Sequence, residues 1–131
     1  MIELWHATLI GVGGALGSVG RYWISILTHD LEIEFSPLEF LSSQFPWGTV
    51  LVNAIGSFII GFFAHFPLND FTSEMKLFFM IGFCGGFTTF SSFSLQTVVL
   101  LQQEEHWAAV FNVGFSVALC MLFTALGWIL A

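Results

Sequence analysis

Four apolar stretches divide the chain, at 5–27, 47–66, 77–101 and 107–131, and the segments between them hold nearly all of its charge. Each is long enough to cross a bilayer, which takes about 20 mostly apolar residues in a helix. The pattern predicts an all-α membrane protein: one domain over 1–131 with four transmembrane helices. All nine acidic residues fall outside these cores, and so does Lys76. Arg21 is the one full charge inside a stretch, and it lies close to an end, where its long stem lets the head reach water. Trp5, Trp47 and Trp107 open three stretches and Trp128 nears the end of the fourth, as expected of an aromatic belt at the water interface.

Composition agrees. Hydrophobic residues make up 56% of the 131 and charged residues only 8%, against about 25% charged in soluble domains. Mean hydropathy is +0.89. The net charge of −7 arises in the connecting segments and from a scarcity of Lys and Arg, so no nucleic-acid partner is expected. The first stretch is read as a span and not as a signal peptide: no basic region precedes it, and glycine and polar residues run through its length. Cys84 and Cys120 both fall in spans, where small polarisable core residues are expected and a disulfide framework is not.

Four spans put both termini on one side of the membrane. Lys76 favours the orientation with cytoplasmic termini and Arg21 opposes it, so the positive-inside bias cancels. Few basic residues make a noisy signal, or copies insert both ways and pair antiparallel. Size favours pairing. Four helices cannot easily enclose a path and also face lipid, and an isologous dimer is the commonest assembly.

The spans carry polar faces. In the first, Gly13 with Gly17 and Gly14 with Ser18 sit four apart, a spacing that lets helix backbones approach closely. This span is assigned to the scaffold. In the second, Thr49, Asn53, Ser57 and Gly61 recur every four residues and share one face. In the fourth, Asn112, Ser116, Cys120 and Thr124 do the same. Either stripe alone reads as interhelical glue; two donor-bearing stripes on different helices suggest a lined pathway.

The third span is stranger. Gly82-Phe83-Cys84-Gly85-Gly86-Phe87-Thr88-Thr89-Phe90-Ser91-Ser92-Phe93-Ser94 packs five hydroxyls and four phenylalanines into thirteen residues. Such weakly helical backbone survives at membrane depth only where protein or a watery path satisfies it. An interruption is expected between Gly85 and Thr88. Freed carbonyls there can hold a cation, and a half-helix N-terminus favours an anion. Phe90 and Phe93, three apart, point to one side and can offer the positive edges of their rings, or serve as filler or lipid contacts.

Three motifs in this order closely resemble the Fluc (CrcB) family of fluoride channels: Gly13-Gly14-Ala15-Leu16-Gly17 leading to Arg21-Tyr22; Gly48-Thr49-Val50-Leu51-Val52-Asn53-Ala54-Ile55-Gly56-Ser57-Phe58; and the run 82–94. The resemblance implies a channel, not an enzyme, built as an antiparallel dual-topology homodimer with two pores in a prokaryotic inner membrane. It implies fluoride contacts at Asn53, Phe90 and Phe93, with Thr49, Ser92 and Ser116 on the polar track. It also implies a structural sodium ion at the dimer interface, on backbone carbonyls of Gly85 and Thr88. Some members carry a tyrosine in the fourth helix near the ion path; Asn112 stands there in this chain. The implied role is to lower cytoplasmic fluoride after HF enters and dissociates.

A fluoride-selective pore must replace the ion's water with donors and still let it leave. Neutral Asn, Ser, Thr and Phe edges suit that better than a buried lysine or arginine. A small proton-coupled multidrug exporter would need a membrane-embedded carboxylate, which no span supplies. A non-conducting assembly subunit, with polar stripes serving only cohesion, is the other alternative.

Overall fold

The computed structural model describes residues 2–34, 45–66 and 73–131. Among them every regular element is helical: α1 (Ile2–Glu34), α2 (Trp47–His65), a compound third segment, and α6 (His106–Leu130). The third segment begins as α3 (Ser73–Lys76), widens to π-helical turns over Leu77–Cys84 and returns to α-helix in α4 (Gly85–Phe87). After two extended residues it resumes as α5 (Phe90–Gln102).

Among the described residues, three stretches are long and apolar enough to cross a membrane: Trp47–His65, Ser73–Gln102 and His106–Leu130. This is a multi-pass membrane protein. α1 has the length, 33 residues or roughly 50 Å, but its glycines and polar residues dilute its apolar character. It also runs past the expected end of the first span. Residues 28–34, in the charged connection between the first two stretches, continue the helix; no proline or glycine intervenes before Pro37 to stop it. The rest of that connection, 35–44, lies outside the described residues.

Small residues set the packing. Gly13 and Gly17 of α1 are buried, and a Cβ on either would strike the backbone at Phe78 or Phe83 of the π-helical turns. In return, a Cβ on Gly82 or Gly86 would strike the α1 backbone at Ile10 or Gly14. The same device joins α2 to α6, where Gly61 lies on the Thr124 backbone and Gly127 on that of Phe58. Lipid tails give apolar helices little reason to associate, so close backbone contact supplies much of the cohesion.

At one end of the α2–α6 pair, Phe45, Val50, Leu100, Ala108 and Ala109 form a buried cluster. Trp47 belongs to it: its ring lies 4.6 Å from that of Phe45 and edge-on to Phe115 at 6.3 Å. Trp47 opens α2, as expected, with its ring half-buried against these aromatic partners. Trp5, Trp107 and Trp128 are exposed, as a belt requires.

The α5–α6 corner is tight. Glu105 N–H donates to the Leu100 carbonyl and Glu104 N–H to that of Leu101, closing a Schellman turn. Glu104 sits at the left-handed position, with φ 62°.

Candidate functional site

α2, the third segment and α6 enclose a cleft of about 420 Å3. Its polar lining comes from Asn53 and Ser57 of α2, Thr88 and Thr89 between α4 and α5, and Ser116 of α6. Phe90 and Phe93 of α5 line it as well, with Cys84 of the π-helical turns and Cys120 of α6. Among the described residues no acidic or basic side chain lines it.

The centre of the site is a departure from helical backbone. Gly85 keeps helical torsions, and the glycine pair lies within or at the edge of α4; the chain extends instead at Thr88 (φ −77°, ψ 159°) and Thr89 (φ −152°, ψ 112°). The interruption thus falls just after the position expected from the glycines. Asn53 accounts for it. Its Oδ1 accepts from the Thr89 N–H at 2.8 Å, and its Nδ2 donates to the Thr89 carbonyl at 3.2 Å. One side chain thereby satisfies both backbone groups of an extended residue. An amide has two N–H donors, so one is left for the cleft that Asn53 lines.

Thr88 is held from the other side. Its N–H and its hydroxyl both donate to the Cys84 carbonyl, at 2.9 and 2.8 Å. Gly56 makes the close approach possible: a Cβ there would overlap the Thr88 methyl.

The redirected donors leave a mark. In a continuous helix Thr89 N–H would serve the Gly85 carbonyl and Ser92 N–H that of Thr88. Here Thr89 N–H goes to Asn53 and Ser92 N–H to the Thr89 hydroxyl at 3.1 Å. Gly85 is exposed, and a Cβ on it would meet nothing within 4 Å. Two carbonyls without their helical donors fit a cation held by backbone oxygens.

Thr89 also caps α5, whose N-terminus opens beside the cleft. The first N–H groups of a helix lack intrahelical acceptors and carry the positive end of its dipole. Phe90, at the first helical position, is 80% exposed; its ring lies 5.6 Å from that of Phe93 at 42°.

Of the sequence-predicted site residues, the cleft brings together Asn53, Phe90, Phe93, Ser116, Gly85 and Thr88. Ser92 does not line it but holds Thr89, whose hydroxyl lies 3.0 Å from that of Ser92. Thr49 lies outside the lining, on the same helix as Asn53. Thr89 was not singled out from sequence. Its signal was position: it directly precedes the Phe90–Phe93 pair and follows a glycine pair.

Apolar helices that cross a membrane several times, folded around an uncharged cleft where a few amide and hydroxyl groups stand among apolar and aromatic side chains, define a multi-pass membrane protein. A family model described as CrcB-like protein, Camphor Resistance (CrcB), matches residues 8–128, and the chain belongs to this family. A relative from Methylobacterium radiotolerans is 44% identical over 130 residues, covering 94% of this chain and 82% of its own. One from Gluconobacter oxydans is 45% identical over 128 residues, with the same coverage. One from Paramagnetospirillum magneticum is 44% identical over 127 residues, covering 94% and 92%. All three carry the name fluoride-specific ion channel FluC.

Proposed function

We propose that this protein is a passive fluoride-selective channel that lets fluoride leave the cell. The observation that carries it is the charge-free cleft around Asn53, in a chain 44–45% identical to proteins named as fluoride channels. Fluoride is small and strongly hydrated, so it enters only where donors replace its water. Asn53 supplies an amide N–H, the start of α5 an electropositive end, and Phe90 and Phe93 the positive edges of their rings. None of these is a full charge, so the ion is not trapped.

The working unit is an antiparallel dual-topology homodimer in a prokaryotic inner membrane, with four spans per chain, the third broken at membrane depth, and two pores. The 80% exposure of Phe90 and the open side of Gly85 support it, since both give a second copy something to complete. Gly85 and Thr88 would hold a structural sodium ion through their carbonyls. Such an ion supplies a positive charge and ties the two copies together.

Purified protein in fluoride-loaded liposomes tests this. Efflux followed with a fluoride electrode should run down the gradient with chloride retained. Efflux that requires a proton gradient would favour an exporter, and none at all an assembly subunit.

A further inference from the structure

Asn112 is 1% exposed, in the second turn of α6, and does not line the cleft. Its hydrogen bonds form a chain with one direction. The Thr97 hydroxyl donates to the Phe93 carbonyl one turn back, at 2.8 Å. A hydroxyl has one proton, so Thr97 can only accept from Asn112, whose Nδ2 donates to it at 2.9 Å. That fixes the amide. Asn112 Oδ1 therefore faces Ser116, which donates its proton to it at 3.2 Å. Ser116 is 5% exposed, and what it exposes lines the cleft.

We infer that Asn112 is a positioning residue that turns the Ser116 proton away from the ion path. The inference rests on the reading that fluoride passes through this cleft. With its proton committed to Asn112, Ser116 shows the cleft oxygen lone pairs, which repel an anion. Ser116 thus keeps fluoride from binding strongly opposite Asn53, so that an ion accepted on the α2 side is not held by a second donor on α6. An ion must bind weakly enough to leave, and an acceptor placed across the path serves that end.

Asn112→Leu keeps the branching of the side chain and removes the acceptor without orphaning the Thr97 proton, since Thr97 still donates to Phe93. It frees the Ser116 proton to face the cleft. In liposome efflux at graded fluoride, the half-saturating concentration should fall by about ten-fold, the scale of one hydrogen bond to a charged group. Against a Ser116→Ala background, Asn112→Leu should change it by no more than roughly two-fold. Thr97→Val, also off the cleft, releases the anchor of the amide and should lower the half-saturating concentration in the same Ser116-dependent way; it decides the matter if Asn112→Leu does not assemble. No fall in either variant, a fall of equal size without Ser116, or loss of flux in both would overturn the inference. Wild-type liposomes that retain fluoride would overturn the channel reading and this one with it.

Discussion

Asn53→Asp is the sharpest perturbation of the site, because it changes two properties and almost no volume. The carboxylate can still accept from Thr89 N–H, but the donor to the Thr89 carbonyl is lost. Leaving that carbonyl without its partner costs about 1–2 kcal/mol. The donor turned to the cleft is lost as well, and a negative charge replaces it. Two like charges about 4 Å apart repel by roughly 3–4 kcal/mol at an effective dielectric constant near 20. The repulsion alone raises the barrier by about 3–4 kcal/mol, or two to three orders of magnitude in rate, while the unpaired carbonyl lowers stability. Fluoride efflux from liposomes should therefore drop to the level of protein-free vesicles. Asn53→Leu separates the two effects. It adds no charge but orphans both Thr89 groups, and should lower flux about 100-fold while also lowering thermal stability in detergent. Asn53→Asp efflux within ten-fold of wild type would refute the assignment of Asn53 to the ion path.

Phe90→Ile should reduce single-channel current about ten-fold, since an aliphatic side chain lacks a positive ring edge worth roughly 1–1.5 kcal/mol. Unchanged current in bilayer recordings would reduce Phe90 to filler. Gly56→Ala drives a methyl into Thr88 and should cost about 1–3 kcal/mol, seen as a lower melting temperature together with lost efflux. Glu104→Gly relieves a left-handed backbone at the α5–α6 corner and should stabilise by about 1 kcal/mol without altering flux; a lower melting temperature would contradict that account of the turn.

Much of this architecture is written in the spacing of polar residues. The four-residue repeat on α2 brings Asn53 and Ser57 to the cleft, and that on α6 brings Ser116 and Cys120 there. The same repeats also contain Gly61 and Thr124, which meet as backbone contact instead. Spacing identifies a shared face, but which half lines a space depends on how neighbouring helices splay. The position of the interruption was less legible. Glycine has low helix propensity, yet Gly85 and Gly86 stay helical under α1, whose Gly14 backbone and Ser18 hydroxyl pack on Gly86. What redirects the chain at Thr89 is a side chain 36 residues earlier, Asn53, and no local rule records such a partner. The π-helical turns over Leu77–Cys84 are silent in sequence for a similar reason: their composition is that of any apolar span. Asn112 could be read as a pore donor from its place in the stripe. Its burial and its two partners, Thr97 and Ser116, place it behind the lining instead.

The proposed channel passes fluoride through an uncharged path and refuses larger anions. That selectivity is read from the reversal potential of a planar bilayer holding fluoride at different concentrations on its two sides, with chloride making up the balance. The account predicts a reversal potential close to the fluoride equilibrium value, unmoved when a pH gradient is imposed. A reversal potential near zero, or one that follows the pH gradient, would contradict it.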